Sequence, residues 1–316
     1  MLNLLKKLNN QKNILVVGDI MVDYFTYCKP IKKSAEVDIN VCNIINEEYS
    51  LGGAANVWNN IKGFDVNCIL CGAIGKDTFG DFVETNINDN NLIIYNEKTT
   101  TKHRFYENNK QVFRIDQDII CNFSNQQYSN VLSKINNMSL DAIIISDYRK
   151  GFCQKDFVEN IIKIANNKNI FVSVDSKDTD ISKFSNANLL KINKQEYLNL
   201  QKKEFDINDV NNIQKFLTKH NIKNLLVTLG EQGMTLVNHK GKVYSTNSIF
   251  VNNADVIGAG DCVLSSYTVG VLNNLSPIEC LTLATNCASY CVSKIGTESF
   301  SIEKYKRELY GKNNQI

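Results

Sequence analysis

The sequence predicts an α/β protein: a mainly parallel sheet covered by helices on both faces, with a small β lid. Three observations carry this. Short β-branched runs alternate with longer stretches of helical periodicity, the pattern of βαβ units. Two stretches, 37–45 and 99–115, break that rhythm by alternating polar and apolar residues. No low-complexity linker or internal repeat divides the chain, so 1–316 reads as a single domain with lid insertions at about 24–50 and 97–116.

The elements follow in order. Residues 13–17 (NILVV) are a continuous apolar run, hence a strand buried on both faces. Gly52-Gly53 opens a helix over 54–61; a strand over 67–71 precedes a helix over 79–87. Strands are expected at 141–146, 169–175, 188–192 and 224–228, with helices near 152–165, 194–200 and 210–219, and an apolar helical pattern at 262–272. The 99–115 stretch holds a polar turn at 107–110, so it reads as a hairpin. Antiparallel strands set into such a chain suggest a flap on one edge of the sheet.

Composition bounds the function. With 35 Lys+Arg against 33 Asp+Glu in 316 residues the net charge is +2, against a dedicated nucleic-acid binder. At 43% apolar and 22% charged, the chain has a full core to bury. No run of 18 apolar residues exists to span a membrane, and the N-terminal stretch Met1-Leu2-Asn3-Leu4-Leu5-Lys6-Lys7-Leu8 lacks the features of a signal peptide. The ten cysteines lie mostly in apolar runs and are expected to be reduced, buried and cytoplasmic. Cys68-Ile69-Leu70-Cys71 lies on a strand, where residues three apart face opposite ways, so packing is the better reading than a metal or redox pair. His103, His220 and His239 are scattered, with no pair at metal spacing.

Chemistry concentrates in two places. In Ala254-Asp255-Val256-Ile257-Gly258-Ala259-Gly260-Asp261, small residues at 258–260 let backbone N–H groups point into one concavity, and the helix that follows adds its positive end. Asp261 at the rim would repel a phosphate unless it takes a proton from a hydroxyl attacking the phosphorus. Glycine punctuation with Asp261 as a helix-terminal charge reads the same spacing equally well. At the other end, the first strand runs into Gly18-Asp19-Ile20-Met21-Val22-Asp23, and ligands bind beyond the carboxyl ends of such strands. Asp19 and Asp23 are thus placed to accept from sugar hydroxyls, while Gly52-Gly53-Ala54-Ala55-Asn56 allows close approach and supplies an amide.

Taken together, Gly52–Asn56 and Asp255-x-x-Gly258-Ala259-Gly260-Asp261 resemble the two signatures of the PfkB/ribokinase-like sugar kinases, and Asn193-Lys194-Gln195-Glu196 resembles that family's NxxE motif. The resemblance spans about residues 11–300. It is strongest to the heptose 7-phosphate kinase branch, the kinase half of the bifunctional ADP-heptose synthesis enzyme. The runs Ser146-Asp147-Tyr148-Arg149-Lys150-Gly151, Val174-Asp175-Ser176-Lys177, Glu231-Gln232-Gly233-Met234 and Lys294-Ile295-Gly296-Thr297 carry that part. No nucleotidyltransferase half follows, which reads as a stand-alone kinase. The resemblance implies a ribokinase-like three-layer αβα fold and a reaction in which ATP phosphorylates the anomeric hydroxyl of D-glycero-D-manno-heptose 7-phosphate. Another sugar or nucleoside kinase of the same family is the nearest rival, and a non-catalytic sensor a more distant one. A Rossmann oxidoreductase is disfavoured because Gly18 stands alone with no GxGxxG.

The resemblance also implies roles. Asp261 matches the catalytic base, and Gly258, Ala259 and Gly260 match the anion hole. Asn193 and Glu196 match residues that hold Mg²⁺, largely through water. Asp23, Gly52, Gly53 and Asn56 match sugar-contacting positions. Thr228, Gly230 and Gly233 match the edge of the ATP site, Asn286 lies beside the adenine, and Lys177 lies near the phosphates. Lys102, Arg104 and Arg114 on the hairpin are candidates for the 7-phosphate, since an arginine fork binds phosphate bidentately; a solvated hairpin face is the competing reading. A monovalent cation near Asp255 is known in parts of the family. Two departures stand out: Ile257 replaces the usual Thr, and Ser34-Ala35-Glu36-Val37-Asp38 replaces a proline-bearing run of the heptose kinases. The exposed edges of a β lid would favour pairing of two subunits, so a homodimer through the lid is expected.

Overall fold

The computed structural model describes residues 1–87, 91–108, 110–252, 254–294 and 296–313. After a short helix α1 (Leu2–Leu5), strand β1 (Asn13–Gly18) takes the position its unbroken apolar run demands, inside a sheet and buried along nearly its whole length. The chain then forms β2 (Ile20–Lys33), β3 (Asn40–Gly53), α2 (Ala54–Lys62), β4 (Asn67–Gly75), α3 (Thr78–Asn86) and β5 (Leu92–Asn96). Next come β6 (Thr100–Glu107), β7 (Lys110–Gln117), α4 (Asn125–Asn137), β8 (Ala142–Asp147), α5 (Lys155–Asn167), β9 (Phe171–Ser176), β10 (Leu189–Asn193) and α6 (Lys194–Gln201). The remainder is α7 (Val210–Lys219), β11 (Asn224–Thr228), β12 (Met234–Asn238), β13 (Val243–Thr246), α8 (Ala259–Leu272), α9 (Pro277–Val292) and α10 (Ile302–Asn313).

The main sheet runs β13-β12-β11-β10-β9-β8-β1-β4-β5, parallel from β11 to β5, with β12 and β13 antiparallel at one edge. Alternation along β1 divides the core. Ile14 and Val16 pack with α2, α8 and α9; Leu15 and Val17 pack with α4, α5 and α7. This is the three-layer arrangement. Cys68 falls in the first core and Cys71 in the second, and all ten cysteines are free thiols. Among the described residues no helix is long and apolar enough to cross a membrane.

The lid is a second sheet, β3-β2-β6-β7. Its strands begin at Ile20 and Thr100, earlier and later than the expected insertions, and the long β2–β3 ribbon pairs from Ile20↔Gly53 out to Lys33↔Asn40, with register shifts between Tyr27 and Cys28 and between Pro30 and Lys32. It is not wholly antiparallel: β2 and β6 pair in parallel. The reason is topological. Each follows a strand of the parallel sheet, β1 or β5, and leaves it in the same direction. The lid therefore stands beyond the carboxyl ends of the sheet rather than on its edge. Asn109, within the expected turn, and Ile295, within one of the family-like runs, lie outside the described residues.

Candidate active site

Helix α8 begins abruptly. Gly258, its N-cap, has φ 75°, and a side chain there would sit 2.7 Å from the Asn56 amide. Ala259 N–H donates to Val256 O at 3.3 Å, and the first-turn N–H groups of an α-helix have no intrahelical acceptor. Asp261 in this turn is buried, 4% exposed. Asn56 Nδ2, from the start of α2, donates to Asp261 Oδ2 at 2.7 Å, and Tyr148 Oη, from the loop after β8, donates to Oδ1 at 3.0 Å. Burial, then the charge of Asp175, pushes the carboxyl up to about 6, while Asn56, Lys191 and Tyr148 oppose the rise.

Below this turn lies a buried ion pair. Lys191 Nζ meets Asp175 Oδ2 at 2.6 Å, both side chains 3% exposed. A side chain on Gly260 would approach Lys191 Nζ to 2.6 Å, so the glycine lets the helix terminus rest on a buried ammonium. Burial alone would raise Asp175, but Lys191 and Lys177 hold it below the usual carboxylate range. Lys177 pairs with Glu196 and lies 3.9 Å from Asp175 Oδ1, which raises it above an ordinary lysine despite its burial.

Asn193 and Glu196 form a reciprocal cap on α6: Glu196 N–H donates to Asn193 Oδ1 at 2.9 Å, and Asn193 N–H to Glu196 Oε2 at 2.7 Å. Among the described residues no group of three or more His, Cys, Asp or Glu side chains converges as metal ligands. One amide and one lysine-paired carboxylate do not make a protein cage. They fit a magnesium ion that keeps much of its water and takes other ligands from phosphates.

Asp23 on β2 is buried between Arg104 Nη1 at 2.6 Å and Thr297 Oγ1 at 3.1 Å, with Gly52 packed against its carboxylate and Gly53 as the N-cap of α2. Arg104, expected to be open to a phosphate, is instead buried on Asp23 and lies over the Phe25 ring. Lys102 and Arg114 share Asp116, at 3.1 Å and 2.8 Å. Asp19 is also a departure from an open sugar ligand. Its Oδ2 accepts from the N–H groups of Tyr148 (2.8 Å) and Lys150 (3.0 Å), its Oδ1 from Phe152 (3.1 Å). Burial pushes it up to about 6. Asp255 accepts from Ile257 N–H at 3.1 Å and Gly296 N–H at 2.9 Å, tying the loop before α8 to the segment that carries Thr297.

Thr228 ends β11, and Gly230 and Gly233, both at positive φ, bracket the turn into β12. Asn286 lies on α9, its side-chain amide donating to Thr282 O at 2.8 Å. The structure thus gathers Asp261, Asn56, Gly258 and Gly260 at one point, with Lys177 and Glu196 paired nearby and Lys102 and Arg114 on the lid. His103 stacks on Tyr24, His220 lies against Phe216, and His239 pairs with Lys223 O.

Three residues were not singled out from sequence. Lys191 had a signal: a lone lysine inside the apolar run of β10 requires a buried anion. Tyr148 and Asp175 lay within the family-like runs, but nothing in their spacing showed that they converge on Asp261.

An open parallel sheet with a lid over its carboxyl ends is the ribokinase-like class of α/β protein. Solved structures agree. The chain superposes on phosphofructokinase-2 from Escherichia coli in complex with potassium with a TM-score of 0.77 at 18% identity, covering 96% of this chain and 99% of that one. An Arabidopsis thaliana ribokinase complexed with ribose and ATP gives 0.74 at 18% identity, covering 95% and 98%. The pfkB family carbohydrate kinase model matches residues 11–304, and the chain belongs to that family. It is therefore a phosphotransferase with an alcohol acceptor. The bifunctional protein HldE of Campylobacter jejuni is 33% identical over 308 residues, covering 96% of this chain and 66% of the relative. That of Helicobacter pylori is 32% identical over 305 residues, covering 93% and 65%. The chain thus spans just under two thirds of the length of these relatives.

Proposed function

We propose that this chain transfers the γ-phosphoryl group of ATP to the anomeric hydroxyl of D-glycero-D-manno-heptose 7-phosphate, giving the 1,7-bisphosphate for nucleotide-activated heptose and surface glycans. The observation that carries the chemistry is Asp261, held between two hydrogen-bond donors in the first turn of α8. Its carboxylate takes the proton of the acceptor hydroxyl as that oxygen attacks phosphorus, and ADP leaves. The amides at 258–260 and Lys191 beneath them oppose the negative charge spreading over the transferred group. Asn56, Asp23, Gly52 and Gly53 line the sugar side. Lys177, Thr228, Gly230, Gly233 and Asn286 line the nucleotide side. When bound, magnesium would supply charge neutralisation at the phosphates, and Asn193 and Glu196 would hold it. A monovalent cation near Asp255 belongs to this reading: its carboxylate accepts two main-chain N–H groups, and an ionised carboxylate has about four lone-pair sites.

What favours a heptose phosphate is the relatives' identity over nearly the whole chain, together with the 146–151 run. Lys102 and Arg114 on the lid receive the 7-phosphate: two cations share one carboxylate, leaving charge for an anion. The exposed face of the lid carries Tyr49, Phe113 and Ile115, and the reading includes a homodimer formed through it. The test is ADP release with Mg²⁺-ATP on heptose 7-phosphate, sedoheptulose 7-phosphate, fructose 6-phosphate, fructose, ribose and adenosine. Strong preference for heptose 7-phosphate is expected. Preference for another sugar keeps the phosphoryl transfer and replaces the substrate.

A further inference from the structure

The loop that follows β8 is pinned more firmly than a connecting loop requires. Asp19 N–H donates to Ser146 O at 3.1 Å, and the Asp19 carboxylate then accepts the N–H groups of Tyr148, Lys150 and Phe152. Arg149 adopts positive φ, 60°, and its N–H donates to Asp147 Oδ1 at 2.9 Å. The outcome of this anchoring is the placement of one phenol. Tyr148 Oη lies 3.0 Å from Asp261 Oδ1, and Lys177 Nζ sits 5.5 Å from the centre of the Tyr148 ring.

We infer that Tyr148 is a positioning residue for the base: its hydroxyl on Oδ1, opposite Asn56 on Oδ2, holds the Asp261 carboxylate ionised and aimed at the acceptor hydroxyl. The inference rests on the phosphoryl-transfer reading above. An ionised carboxylate has about four lone-pair sites, so two donors fix its plane and still leave room for the proton it must accept. A phenol donates to the anion and cannot bridge two carboxylates as a cation would, so it orients the base without neutralising it. The wall of the site is built backwards from this bond: Asp19 fixes the loop, the loop fixes Tyr148, and Tyr148 fixes Asp261.

The other charged groups facing this pair are Asp175 on β9, Lys191 on β10, Lys177 after β9 and Asp23 on β2. All of them remain in Tyr148→Phe. That variant also keeps the ring beneath Lys177 and the main-chain anchoring, so the fold is retained. One lost hydrogen bond to a charged group corresponds to about one pH unit. With the sugar that the panel identifies, kcat is expected to fall about tenfold, KM for ATP to change less than twofold, and the acid limb of the kcat/KM profile to rise by about one unit. A lower kcat with an unmoved acid limb would mean a merely structural role and overturn the inference. If the wild-type enzyme turns over no sugar in the panel, the heptose reading fails separately. The bond is then read in the resting enzyme, by ¹³C NMR titration of the Asp261 carboxyl, assigned by its loss in Asp261→Asn. A higher titration point in Tyr148→Phe supports the inference, and an unchanged one overturns it.

Discussion

Asp261 is a carboxylate buried where water cannot solvate it, and two consequences follow. As a base it works only when ionised, and it titrates at about 6, so kcat/KM should rise with pH through about 6. A flat profile from pH 5 to 8 would remove it from that role. Asp261→Asn should lower kcat by at least about a thousandfold while ATP binding, measured by calorimetry, stays within a few-fold. The same residue lowers stability. Its folded pKa lies above the unfolded value of 3.8, so its contribution is most favourable below about pH 4 and is lost as pH rises through about 6. Relative to wild type, Asp261→Asn should gain on the order of 2–3 kcal/mol between pH 4 and 7 in denaturant titrations. The two lid arginines should behave oppositely. Arg104→Gln leaves Asp23 buried without its cation and should cost about 3–5 kcal/mol of stability. Arg114→Gln, on an exposed strand, should change stability by less than about 0.5 kcal/mol and raise KM for the sugar phosphate. An Arg114→Gln enzyme with unchanged sugar KM would take Arg114 out of the phosphate site.

At the scale of elements, α8 matters most. Its helix was legible in the largely apolar run 262–272, and folding buries 262–270 throughout, Ser265, Ser266 and Thr268 included. What its first turn rests on was not, because Lys191 comes from a strand some seventy residues earlier. Gly260→Ala should press on that buried ammonium, costing about 1–3 kcal/mol and lowering kcat more than it raises either KM. Strands β5 and β13 are hard to see in the sequence because short edge strands bury little and show weak periodicity; β12 is an inner strand with four of its five residues buried, too short a run to show a period. The strand carrying Cys68 and Cys71 was read correctly, since a period of two must send them to opposite cores.

For the whole molecule, the second sheet is anchored at one end and open at the other. Its root is buried through Met21, Val22 and Phe25, whereas β7 is exposed along its length. On one face Tyr49, Tyr24, His103, Phe105 and Phe113 form a row of ring contacts, with Phe113 59% exposed at its end. If that face joins two subunits, Phe113→Asp should convert a dimer to a monomer in light scattering and raise sugar KM by loosening the lid. A wild-type monomer at micromolar concentration would remove the homodimer from the proposal.

The α/β class, the parallel strands, the existence of a lid and the Gly-Ala-Gly-Asp terminus of α8 are legible in the chain alone. These are written in local periodicity and in residue types that tolerate few backbone conformations. Which charges meet is settled only by the packing of distant segments. Asp19 and Asp23 look alike on one strand end, yet one anchors a loop and the other is paired with an arginine. Lys102, Arg104 and Arg114 look alike on one hairpin, yet only Arg104 is buried. A charged side chain's role depends on what lies within a few ångströms of it, and for Asp261 those neighbours come from α2, β9, β10 and the loop after β8, segments that only folding brings together.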